Sequence, residues 1–154
     1  MANRAKGDTY TPLLSEVLKK VHNAKTKDKK VEILKTYDSE PLRMVIKSSF
    51  DPNIKWQIPA GEVPFKRNES EEGTEHTILM KEARKLYNFL DGGNAELPRF
   101  RKEQMFIQML EGLHQSEAEL LCAAKDKKLH QVYKGLSDNV VKEAFGWTDH
   151  YTRS

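Results

Sequence analysis

What most constrains this chain is a repeated pattern. Apolar residues recur at steps of three and four in short runs, and each run is closed by a capping residue, a proline or a glycine. Such runs bury one stripe each and fit short amphipathic helices, whereas the period-two alternation of a half-buried strand does not occur convincingly anywhere.

After Pro12, which suits an early helix position, come Leu13, Leu14, Val17, Leu18 and Val21 on one face. A second helix is predicted from about Thr26 to Tyr37, with Val31, Ile33, Leu34 and Tyr37 buried and lysines elsewhere. Ser39 reads as the cap of a third, with Pro41 tolerated at its start and Leu42, Val45, Ile46 and Phe50 as its stripe. The segment DPNIKWQIPAGEVPF, residues 51–65, then excludes helix through its three prolines and reads as an extended loop pinned by Ile54, Trp56, Ile58 and Phe65.

KRNESEEGTE, residues 66–75, carries no apolar residue and is predicted to be an exposed linker between two helical halves. A helix from about Thr74 to Leu90 follows, with Ile78, Leu79, Ala83, Leu86, Tyr87 and Leu90 as its apolar face and Asp91, Gly92, Gly93 and Asn94 as its stop. Pro98 opens a helix carrying Phe100, Met105, Phe106, Met109, Leu110 and Leu113, and Ser116 to Glu119 reads as a capping box for a helix lined by Leu120, Leu121 and Ala124. Lys134 and Gly135 read as a turn, Ser137 or Asp138 as the cap of a last helix over Val140, Val141, Ala144 and Phe145, and Gly146 as its end. The expectation is an all-α, single compact domain over 1–154, with roughly seven short helices and a flexible N-terminus over 1–11.

Chemistry is harder to find. The histidines 22, 76, 114, 130 and 150 include no pair at the spacing that puts two ligands on one helix face, and the single Cys122 cannot build a disulfide or a thiolate zinc site. Cys122 sits in an apolar run and reads as a buried, inert thiol. Glu117 and Glu119 read as first-turn carboxylates facing a helix dipole, and no phosphate-cradling glycine loop is present. No apolar run spans a bilayer and the first residues lack the centre of a secretory signal. The expectation is therefore a cytoplasmic, non-enzymatic protein without metal or small-molecule cofactor, and without a membrane partner.

The lysines stand apart. Between Lys19 and Lys35 there are seven, including Lys25, Lys27, Lys29 and Lys30, against Asp28 and Glu32, although the whole chain carries only +3. Such density suits phosphate contacts, since each neutralised phosphate releases condensed counterions, and it also suits a solvated helix face. Arg99, Arg101 and Lys102, and then Lys125, Lys127 and Lys128, fall near helix ends; with them the three clusters are candidates for one basic surface facing away from the acidic 69–75 stretch.

Two segments resemble the amino-terminal DNA-binding domain of the ATP-dependent DNA ligases of large tailed bacteriophages. One is residues 13–59, a leucine-rich helix, a polar turn and a lysine-containing helix leading to Phe50, Asp51, Pro52, Ile54 and Trp56. The other is residues 130–147, in which Gly135, Ser137, Val140 and Phe145 fall at matching places. The family's Asp-Leu pair before the turn glycine is replaced by Gln131 and Val132. The adenylation signature Lys-x-Asp-Gly is also missing, because Phe89 and Leu90 precede Asp91 and Gly92. The resemblance implies a phage-encoded, stand-alone module that grips double-stranded DNA by shape, with Lys134, Ser137 and Asn139 joining the basic residues at the interface. The alternative is a ligase-like scaffold turned to a phage or host protein partner, as a virion component or as an inhibitor of a host enzyme.

Overall fold

The computed structural model describes residues 12–66 and 77–152, and four of the helices among them begin at a residue whose side chain caps them. α1 (Leu14–Asn23) starts two residues after Pro12, with the Glu16 carboxylate accepting from the Leu13 amide at 2.7 Å. α2 (Lys27–Thr36) is capped by the Thr26 hydroxyl and α3 (Glu40–Phe50) by that of Ser39, each accepting from an amide three residues on. The residues foreseen for 1–11 lie outside the described part, as does the linker apart from Lys66, which is exposed.

The helix expected from Thr74 to Leu90 is instead two elements among the described residues. A single α-turn, α4 (Leu79–Glu82), passes into a 3₁₀ helix over Ala83–Phe89. The reason is legible afterwards: Ala83, Leu86 and Phe89 are its buried apolar residues, a spacing of three that eclipses in a 3₁₀ helix and drifts in an α-helix. Tyr87, placed on the apolar face by the α-period, is 51% exposed, and Phe89 takes the core position.

α5 (Arg99–Gly112) brings a second correction. Its inward face is Lys102, Phe106, Met109 and Leu110, continued by Leu113, so Phe100 lies two residues, about 200°, around the helix and is 68% exposed. Phe106 packs edge-on against Phe89 at 5.2 Å and Trp56 at 6.1 Å between centroids.

α6 (Gln115–Lys125) begins earlier than the Ser116 box predicts. His114 is its cap, with Nδ1 accepting from the Ser116 amide, while the Ser116 hydroxyl meets that of Ser15 at 2.8 Å. Glu117 therefore occupies the third position of the first turn and points into the protein. Fully buried, its two oxygens accept from the Leu14 amide at 3.0 Å and the Leu79 amide at 2.9 Å, the first residues of α1 and α4. One carboxylate thus serves the amino ends of three helices, whose dipoles and orphan N–H groups offset the cost of burying its charge.

A one-turn helix, α7 (Leu129–Val132), absent from the sequence reading, precedes the Lys134–Gly135 turn, and α8 (Asp138–Phe145) closes on Gly146 in the left-handed conformation. α2 lies against α1 and α8, α3 against α6, and α5 against α6 and the 3₁₀ helix. Leu18, Leu34, Ile46, Leu86, Leu110, Leu121, Leu129 and Val141 belong to one continuous core. Among the described residues there are eight α-helices and no strand, only a bridge between Trp56 and Leu90.

Candidate nucleic-acid interface

The proline-rich loop sorts the predicted basic residues. Beyond the single bridge at Trp56, prolines 52, 59 and 64 keep residues 51–66 out of a ladder, leaving carbonyls that need donors from elsewhere. Lysines supply them. Lys125, with a side chain 0% exposed, donates to the carbonyls of Pro59 at 2.8 Å and Gly61 at 2.9 Å and to Asp126 at 2.6 Å. Lys127 donates to the carbonyls of Asp51, at 2.7 Å, and Ile54. Burial pushes its ammonium below the usual lysine range, with the Asp51 charge opposing and Lys55 reinforcing the shift. Lys102 is 4% exposed and donates to the Gln57 side chain. Lys102 and Lys125 are thereby withdrawn from the surface on which the sequence placed them.

Arg99 and Arg101 are exposed at the start of α5, Arg99 beside Glu103 at 3.7 Å. α5 packs on α6 and the 3₁₀ helix rather than on α2, so these arginines flank the exposed Phe100 on a patch of their own.

The remaining predicted residues gather at one end. Two contacts draw the Lys134–Gly135 turn onto the α1–α2 elbow: the Lys134 amide donates to His22 Nδ1 at 2.9 Å, and Gly135 sits so close that an added β-carbon would come within 2.8 Å of the Val21 carbonyl. Only glycine allows that approach. Lys27 reaches Glu143 of α8 at 3.1 Å, and Lys30 turns its ammonium to the Ala24 carbonyl at the end of α1. Lys25 and Lys29 are exposed, as are Lys19, Lys20, Lys35, Lys128 and Lys134, and none of these side chains has a hydrogen bond or ion pair to another described residue. Lys20 and Lys29 stand with Glu32, Ile33 and Tyr37 around a groove of about 610 Å³ between α1 and α2. Ser137 accepts from the Val140 amide at 3.3 Å as the cap of α8, and Asn139 is exposed in its first turn.

Beside this end lies a notch of about 470 Å³ lined by Ser49, Phe50, Lys127, His130, Lys134 and Ser137, with Leu136 and Asp138 completing it. His130, read from sequence as a surface residue, meets Phe50 edge-on at 6.3 Å. No sequence signal marked it for the notch, because Phe50 is eighty positions away. Burial pushes Asp138 up, but hydrogen bonds from Lys142 and Tyr151 outweigh this and hold its carboxyl below the usual range. Cys122 is half-buried and lines a separate groove beside Val63 and Phe65, rather than being sealed in the core. No three His, Cys, Asp or Glu side chains among the described residues are grouped to hold a metal, and no described helix is long and apolar enough to cross a membrane.

Fold and charge together define a small all-helical domain with a lysine-rich end. Residues 17–131 match the family of unknown function DUF6433, and the chain belongs to that family. No curated protein and no solved structure matches it.

Proposed function

We propose that the protein is a non-enzymatic module that binds double-stranded DNA through its phosphates, with little preference for sequence. The observation that carries this reading is the joining of two lysine groups, distant in sequence, into one end by the His22–Lys134 hydrogen bond and the packing of α2 on α8. Lys19, Lys20, Lys25, Lys29 and Lys134 offer ammonium groups there that the protein does not itself consume. Long lysine stems adapt to a backbone of repeating phosphates without reading bases. The resemblance to the phage ligase domain supports the same partner, although Lys27 and Lys30 are engaged internally and stand back from the contact.

The test is anisotropy of a labelled duplex at about 50 and 200 mM salt, where four phosphate contacts lower affinity roughly a hundredfold. Changing Lys19, Lys20, Lys25 and Lys29 together to Glu should abolish binding while the helical circular dichroism stays unchanged. Unaltered affinity in that variant would sink the proposal. A second reading, recognition of a phage or host protein, is favoured by a different observation, the 68% exposed Phe100 between Arg99 and Arg101. In that case Phe100→Ala, and not the lysine variant, removes the partner.

A further inference from the structure

We infer that the notch between the end of α3, α7 and the start of α8 is a discrete binding site for one phosphate group, held by Lys134 and His130. It deepens the DNA reading and rests on it only for the source of the phosphate. Lys134 and His130 both line the concavity, are both exposed, and have no side-chain hydrogen bond or ion pair to another described residue. Lys127 also lines the notch, with its ammonium fixed on the Asp51 and Ile54 carbonyls. Fixed there, it contributes charge without adapting its position.

The acidic residue in the lining does not cancel this field. Asp138 is occupied by the Tyr151 hydroxyl and by Lys142 at 2.8 Å, and Lys142 also reaches Asp149 at 3.0 Å. Asp51 is 5% exposed and spends one oxygen on the Asn53 amide. Phe50 and the buried Leu136 add apolar surface to the lining, so an anion seated there is partly shielded from water and the lysine charge acts at a lower effective dielectric than on the open helix face. The Ser137 hydroxyl also lines the notch and, while its oxygen accepts from the Val140 amide, its O–H can donate to an anion. A tetrahedral phosphate suits an ammonium, a separate ring N–H and a hydroxyl better than a planar carboxylate does. The α1–α2 lysines, by contrast, surround an open groove and grip no single group.

The experiment is a titration of the whole protein with inorganic phosphate at constant ionic strength, with sodium chloride as the control, followed by amide chemical shifts. Expected are saturable shifts confined to residues around 130–140, absent in chloride and lost in the double variant His130→Gln, Lys134→Gln. Competition by duplex DNA for those shifts assigns the phosphate to a nucleic-acid backbone; then Lys134→Gln also lowers the slope of log affinity against log salt by about one. Saturation without competition assigns the notch to a free phosphorylated ligand, and the site stands. Shifts that rise linearly, spread over all exposed lysines or persist in the double variant overturn the site. The DNA reading is judged separately by the Lys19, Lys20, Lys25 and Lys29 variant, so the two can fail independently.

Discussion

Lys125 and Lys25 have the same side chain and opposite surroundings. The first is fully buried and holds two carbonyls of the proline-rich loop, and the second stands in solvent at the α1–α2 elbow without a partner among the described residues. The loop end needs lysine because prolines have removed its ladder and left carbonyls that only a long, multi-donor side chain reaches. At the elbow Lys30 and Lys27 are engaged internally, but Lys19, Lys20, Lys25 and Lys29 serve no internal partner among the described residues, and that surplus makes it the candidate interface. A basic cluster in a sequence therefore divides by what the neighbouring backbone lacks, not by its charge density.

The sharpest way to break this comparison is Lys125→Met, which leaves the Pro59 and Gly61 carbonyls and Asp126 without their donor. A loss of about 3 kcal/mol is expected, with Tm falling by roughly 10 °C and no change in the salt dependence of DNA binding. Retained stability in thermal denaturation would mean that the loop carbonyls find water instead.

Alkali gives the next largest effect. Burial, aided by the charges of Glu119 and Glu117, pushes the Tyr133 hydroxyl up to about 12. The folded state thus holds this proton where the unfolded chain releases it, so stability present below pH 10 is lost as pH rises from 10 to 12. The loss from this group is on the order of 2 kcal/mol, and urea denaturation of Tyr133→Phe should show a shallower decline across that window. Tyr151, also pushed up to about 12 by burial and its bond to Asp138, adds a fall of the same sign.

Lys102→Met should cost less than about 1 kcal/mol, since its acceptor is the Gln57 side chain, which already turns its amide toward Asp91 and can be hydrated. That contrast with Lys125 separates backbone acceptors from mobile ones. Smallest is Lys27→Ala. Its pair with Glu143 is about half exposed on both sides, and after solvent screening roughly 0.3 kcal/mol is expected, near the limit of a denaturation curve.

Much of the fold is legible along the chain. The stripes of α1, α2, α3 and α8, their caps at Thr26, Ser39 and Ser137 and the left-handed stop at Gly146 follow from local rules that involve a few neighbouring residues. Two misplacements were avoidable. Ala83, Leu86 and Phe89 repeat at three, and Lys102 shares the helical face of Phe106 and Met109, so a lysine in a core register already hinted at burial. The early start of α6 was not, because Glu117 turns inward to meet amides of α1 and α4, which lie 103 and 38 positions from it.

The sequence by itself determined where α1, α2, α3 and α8 start and stop, because there capping and periodicity are settled within a turn or two. It also determined that lysine concentrates in three places. Only the tertiary structure decided which lysines are spent and which face solvent. That depends on the Gln57 side chain of the 51–66 loop meeting α5, on orphan carbonyls of that loop meeting α6 and the residues after it, and on the Lys134–Gly135 turn closing against α1 more than a hundred positions away. Hydrogen-bond demand is a property of surroundings, and a chain read in one dimension does not contain its surroundings.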